Sequence, residues 1–104
     1  MSTAESIVEL AAELESFFKG NACPMENEPV LRRIRFLCSR LGAYDYYVAE
    51  KAGEINYLAG RFFSTRKHTK YPGGADEIYN RIVHDLLSRI RTRANNIEYA
   101  ERNP

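Results

Sequence analysis

EPVLRRIRFLCSRLGAYDYYVAEKAGEINYLAGRFF, residues 28–63, is the stretch that decides the fold. Glu28-Pro29 is a helix-start signal, because proline in a first helical turn lacks only an N–H that would have no partner there. Apolar residues then recur at steps of three and four: Val30, Ile34, Leu37, Leu41, Tyr44, Val48, Ala52, Ile55, Ala59 and Phe62. That spacing lines the side chains along one side of a helix. It persists for about nine turns. The stretch therefore reads as one long central helix, 29–65. Gly42, Gly53 and Gly60 each weaken a helix interior by up to about 1 kcal/mol relative to Ala, and together they permit a bend.

Two shorter helices flank it. Ile7, Leu10, Ala11, Leu14, Phe17 and Phe18 form one apolar stripe opposed by Glu9, Glu13 and Glu15, which predicts a helix over 3–19 capped by Ser2 or Thr3. Gly20 to Glu28 is a loop rich in Gly, Asn and Pro, from which Met25 is expected to fill a gap in the core. Tyr71-Pro72-Gly73-Gly74 breaks the chain again, and a last helix follows over 75–99, with Gly74 or Asp76 as its cap. Its core face is Tyr79, Val83, Leu86, Ile90, Ala94 and Ile97, with Ile82 and Leu87 at the rim. Glu77 with Arg81, Asp85 with Arg89 and Glu98 with Arg102 are spaced as ion pairs across one turn. The expected architecture is all-α: a single domain of three helices packed as an antiparallel hairpin or bundle, dimeric because so thin a core leaves apolar surface to cover.

The back of the central helix differs from an ordinary solvent face. At 100° per residue, Ser39, Gly42, Tyr46, Ala49, Gly53, Tyr57 and Gly60 share one arc roughly opposite Leu37 and Ile55. Small residues admit another backbone, and tyrosines combine apolar area with a polar tip, a composition enriched in interfaces. Gly42, Tyr46, Ala49, Gly53, Tyr57, Gly60 and Phe63 are therefore the candidate protein-interface residues. The plain alternative is a second packing face inside the monomer, met by the first helix.

Charge is unevenly placed in a chain of 104 residues and net charge +1. Residues 1–28 hold six Glu against one Lys, and residues 61–104 hold nine Lys or Arg against five Asp or Glu. Arg66, Lys67 and Lys70 form a basic patch, and with Arg89, Arg91 and Arg93 they offer a nucleic-acid reading. The acidic first helix and the low net charge argue against direct nucleic-acid binding. Two cysteines, Cys23 and Cys38, do not make a disulfide framework, and no uncharged run suits a membrane span. A reducing, cytoplasmic setting is expected. His68 and His84 stand apart from any set of metal-ligand spacing. Arg40, Lys51 and Arg81 could be nominated for a small helical mutase-like site, but many helical proteins supply such a trio. No catalytic residue, cofactor or metal is expected.

Two segments carry a family likeness: YDYYVAEKAGEINYLAGRFF at 44–63 and KYPGGADEIYNRIVHDLLSRI at 70–90. With the length and helix order, they resemble the small pseudomonad anti-activators of quorum sensing that sequester LuxR-type transcriptional regulators. The resemblance implies a non-catalytic protein without cofactors, frequently a homodimer. It implies binding to a LuxR-type regulator so as to block the regulator's dimerisation and DNA binding. It supplies no motif from which single binding residues can be carried over. A structural or assembly subunit with another partner is the alternative in the same class.

Overall fold

The computed structural model describes residues 2–103, and every regular element among them is helical. Helix α1 spans Thr3–Lys19, α2 Glu28–Gly42 and α3 Tyr46–Phe62. A single 3₁₀ turn, Lys67–Lys70, precedes the C-terminal rod. That rod comprises α4 (Gly74–Asn80), a π-helical segment (Arg81–Leu86) and α5 (Leu87–Arg102). Local chemistry explains the ends. Ser2 Oγ accepts the Glu5 N–H at 3.1 Å and caps α1. Asn27 Oδ1 accepts the Val30 N–H at 3.4 Å, and Pro29 sits in the first turn of α2.

The expected single central helix is two helices. The chain reverses over Ala43, Tyr44 and Asp45, and α2 and α3 pack side by side more extensively than any other pair. Asp45 makes the break. Its backbone is extended (φ −162°, ψ 143°), and its Oδ2 accepts the Val48 N–H at 3.1 Å, so a new helix starts after it. The apolar stripe stays in phase across the turn because the two arms of a hairpin bury their apolar sides in one core. Gly42 and Ala49 lie side by side across the turn: a Cβ on Gly42 would sit 3.4 Å from Ala49 Cβ, at ordinary contact distance. Tyr44, expected in the core, is exposed at the tip.

The C-terminal rod is also not the plain helix expected. Its cap is Gly73 rather than Gly74 or Asp76, with φ +87°, and Gly74 follows at φ +72°. The π-helical segment holds wider turns, and these shift the helical phase. On an unbroken α-helix Ile78 and Ala94 would lie roughly 160° apart; here both are fully buried in the same core. The shift moves the buried face: Ile82 and Leu87, expected at the rim, are fully buried, whereas Tyr79 and Ile97 are only half-buried. Arg81 does not pair with Glu77. It donates to Glu54 Oε2 at 2.9 Å and to Asp85, tying this rod to α3.

α1 lies against α5 and α2, so one continuous apolar core runs between the hairpin and the C-terminal rod. No polar or charged residue among those described is buried. The core's end is closed by aromatic rings. Phe18 meets Phe62 at 5.0 Å, Phe63 at 5.6 Å and Tyr79 at 5.4 Å between centroids. Met25 does not fill a core gap; it is 56% exposed. The molecule is elongated, 48 × 25 × 20 Å, with a radius of gyration of 14.0 Å against about 13 Å for a compact chain of 100 residues. Among the described residues no helix is long and apolar enough to cross a membrane.

Candidate protein-interaction surface

The outer side of α3 carries two concavities, one at each end. At its N-terminal end a groove of about 680 Å³ lies between α3 and α5, lined by Tyr46, Tyr47, Glu50, Arg89, Arg93 and neighbours. A bidentate pair ties the start of α3 to α5 beside this groove. Arg93 Nε and Nη2 donate to Asp45 Oδ2 and Oδ1, both at 3.0 Å. Two parallel N–H···O bonds fix both planes. The Arg93 guanidinium holds the Asp45 carboxyl below the ordinary aspartate range, although partial burial opposes it. Tyr46, the first residue of α3, turns its ring almost wholly into solvent at 91% exposure.

At the other end a cleft of about 590 Å³ runs between α2, α3 and the 3₁₀ turn. Gly53 and Gly60 form its floor, Tyr57 and Asn56 stand beside them, and Arg35, Arg61, Lys67 and Lys70 surround it. No carboxylate lines it. The hairpin brings Arg35 of α2 opposite Gly53 of α3. Arg61 is held in place: Nη1 donates to the Tyr57 hydroxyl and Nη2 to the Lys67 carbonyl, both at 3.2 Å. Its guanidinium also lies 5.9 Å from the Tyr57 ring centre and 5.7 Å from that of Tyr71. The Ser64 hydroxyl donates to the Arg61 carbonyl at 2.6 Å and accepts the Lys67 N–H at 2.9 Å, which folds the basic segment back over α3.

The candidate interface residues therefore separate. Tyr46, Gly53, Tyr57 and Gly60 reach the surface of α3, with Tyr57 63% exposed. Gly42 and Ala49 face each other within the hairpin, so their small size serves the monomer's own packing; the neighbouring helix there is α2, not α1. Phe63 is 3% exposed and belongs to the aromatic core, because α3 ends at Phe62 and the chain turns inward there. Lys67 and Lys70 join the cleft, whereas Arg66 points elsewhere into solvent. Arg35, Arg61 and Asn56 were not singled out by sequence. Only the α2–α3 reversal brings Arg35 near the others, and nothing in a linear stripe announces it.

The arginines of α5 are committed inside the molecule. Arg89 Nε donates to Asp85 Oδ1 at 2.6 Å, Arg91 Nη1 to Glu15 Oε1 at 2.8 Å, and Arg93 is the partner of Asp45. Arg40, Lys51 and Arg81 do not line a common cavity: Arg40 lies beside Phe36, while Lys51 and Arg81 share Glu54. Among the described residues no group of three or more His, Cys, Asp or Glu side chains could hold a metal ion. Cys38 is buried, and burial pushes its thiol up to about 12; Cys23 is exposed. Comparison with family models, curated proteins and solved structures found no match.

Proposed function

We propose that this chain is a non-catalytic, protein-binding negative regulator. In this reading it sequesters a LuxR-type quorum-sensing transcription factor in the cytoplasm and blocks that factor's dimerisation and DNA binding. The observation that carries the protein-binding part is the outer side of α3, where Tyr46 and Tyr57 stand in solvent at 91% and 63% exposure. Large aromatic residues with a polar tip are costly to leave in water and are the residue type on which protein interfaces concentrate their energy. The identity of the partner rests on the resemblance carried by residues 44–63 and 70–90. The same surface gives two copies of the chain a place to meet, and a homodimer is part of the proposal.

The test is a purified LuxR-type regulator mixed with this chain, read by light scattering and by operator retention on a gel. The expected result is a mixed complex in which the regulator no longer dimerises or retains the operator. Tyr46→Asp and Tyr57→Asp, both at exposed positions, should weaken the complex without loss of helicity. A regulator that stays dimeric and DNA-bound in saturating amounts of the chain would refute the regulator assignment. Light scattering of the chain alone decides the homodimer.

A further inference from the structure

We infer that the cleft between α2, α3 and the 3₁₀ turn is a receptor for a carboxylate-rich peptide segment of a protein partner. Eight of the chain's fifteen Lys and Arg side chains are ion-paired among the described residues: Lys19, Arg33, Lys51, Arg81, Arg89, Arg91, Arg93 and Arg102. Of the seven that are not, four line this single cleft: Arg35, Arg61, Lys67 and Lys70. In a molecule of net charge +1, four unneutralised cations around one concavity form a strongly polarised site. Such clustering repels itself unless an anion enters, and a concave low-dielectric wall focuses the field.

Two further observations point to a missing partner. Among the described residues, the buried side-chain polar atoms without a hydrogen-bond partner are Asn56 Oδ1 and Arg61 Nε, and both residues line this cleft. Arg61 Nε is a donor and suits an acceptor such as a carboxylate, whereas Asn56 Oδ1 is an acceptor and suits a donor such as a peptide N–H. Arg61 is also pre-organised by two hydrogen bonds and two flanking rings, which lowers the entropy lost when a ligand binds.

The form of the cleft selects a peptide over other anions. Gly53 and Gly60 lie on one side of α3, roughly 10 Å apart along the axis, with open space where a Cβ would project from either. A peptide backbone can approach along that floor while its carboxylates reach the rim. Tyr57 offers a half-apolar wall for the peptide's side chains. A small phosphate site would recruit backbone N–H groups, but those of mid-α3 are used within the helix. A nucleic-acid track would continue beyond the cleft. Arg66 diverges from it, and Arg89, Arg91 and Arg93 are held by Asp85, Glu15 and Asp45. The inference rests on the protein-binding reading above for the source of the segment, but not on the identity of the partner.

The probe is a fluorescently labelled, end-capped helical peptide of Ala and Glu, compared by anisotropy with its Ala and Gln counterpart. The Glu peptide should bind and the Gln peptide should not. Arg35→Glu with Lys67→Glu should weaken binding about tenfold or more, whereas Arg32→Glu with Arg66→Glu, at two unpaired cations outside the cleft, should change it less than about twofold. Circular dichroism checks that both double variants keep their helicity, and Arg35→Ala with Lys67→Ala repeats the comparison without introducing new charge. Equal losses in the two charge-reversed proteins would reduce the effect to diffuse attraction and overturn the proposal. So would tighter, equally cleft-dependent binding of a single-stranded oligonucleotide of the same charge, or displacement of the peptide by millimolar inorganic phosphate. A chain that binds the Glu peptide but no LuxR-type regulator keeps the cleft and loses the regulator assignment. A chain that binds the regulator with the cleft reversed, and ignores the peptide, does the opposite.

Discussion

Asp45 has two carboxylate oxygens and accepts three hydrogen bonds. Oδ2 caps α3 through the Val48 N–H, and both oxygens receive Arg93 from α5. Its side chain is only 12% exposed, so water does not replace these bonds freely. Asp45→Ala removes cap and ion pair together and should lower stability by about 1–2 kcal/mol, or about 4–8 °C in Tm per kcal/mol for a domain of this size. Asp45→Asn keeps an acceptor for the cap and should lose less; equal losses would show that the cap contributes nothing. Glycines separate in the same way. A Cβ on Gly73 would sit 2.6 Å from Glu77 Cβ at φ +87°, so Gly73→Ala should cost about 1–2 kcal/mol or more. Gly53→Ala meets nothing within 4 Å and should stabilise α3 by about 0.5–1 kcal/mol. Thermal unfolding followed by circular dichroism reads both signs. At this scale the sequence is half legible. An aspartate ahead of a helical run announces a cap, but nothing local announces an arginine 48 residues later as its partner.

The elements show where periodicity suffices and where it misleads. α1 follows its stripe from Thr3 to Lys19, as the sequence predicts, because a single amphipathic helix with a cap and a terminal glycine has no competing reading. The hairpin of α2 and α3 gives the same stripe as one long helix, since both arms bury their apolar sides in one core. What distinguishes the two is Gly42 at the end of α2 and Asp45 at the start of α3, a stop and a start three residues apart. The π-helical segment is illegible in a pattern that assumes a constant 100° per residue. It predicts its own test. Deleting His84, exposed in the middle of Arg81–Leu86, should take one residue out of the wide turn and leave the flanking apolar residues in phase. Helicity should persist and Tm should move by only a few degrees. Deleting Thr92 from regular α5 should rotate one part of the buried face by about 100° and unfold the chain. If the two deletions prove equally damaging, the π turn is not a phase correction.

For the whole molecule, three carboxylates matter because each sits where elements meet. Asp45 binds the hairpin turn to α5, Glu15 binds α1 to α5 through Arg91, and Asp85 shares Arg81 with Glu54 of α3. All three are held below their ordinary range: Asp45 by Arg93, Asp85 by Arg89 with Arg81, and Glu15 by Arg91 and Lys19 against the upward push of burial. A depressed carboxyl binds fewer protons in the fold than in the unfolded chain. Its contribution is therefore complete above the ordinary carboxylate range and is lost as pH falls through that range toward the folded value. Tm should be flat from about pH 7 to 5 and decline below about pH 4. Asp45→Asn should flatten part of the decline, and an unchanged acid slope would remove Asp45 from the account. The opposite asymmetry of charge also resolves at this scale. The basic C-terminal half loses most of its free cations to internal pairs, and the unpaired ones concentrate around one cleft.

By itself the sequence determined that the chain is helical, where α1 lies, and most of the aliphatic residues of α1 to α3 that form the core. Those properties follow from spacing along a helix and from the exclusion of apolar surface from water, both local or one-dimensional. Only the tertiary structure decided that residues 28–63 turn back on themselves, that Phe63 is core, that Gly42 and Ala49 serve the hairpin, and that Arg35 meets Arg61, Lys67 and Lys70. Those depend on which surfaces meet across the fold. One-helix and hairpin readings bury the same stripe, so the pattern cannot rank them; the Asp45 cap and the Asp45–Arg93 pair do.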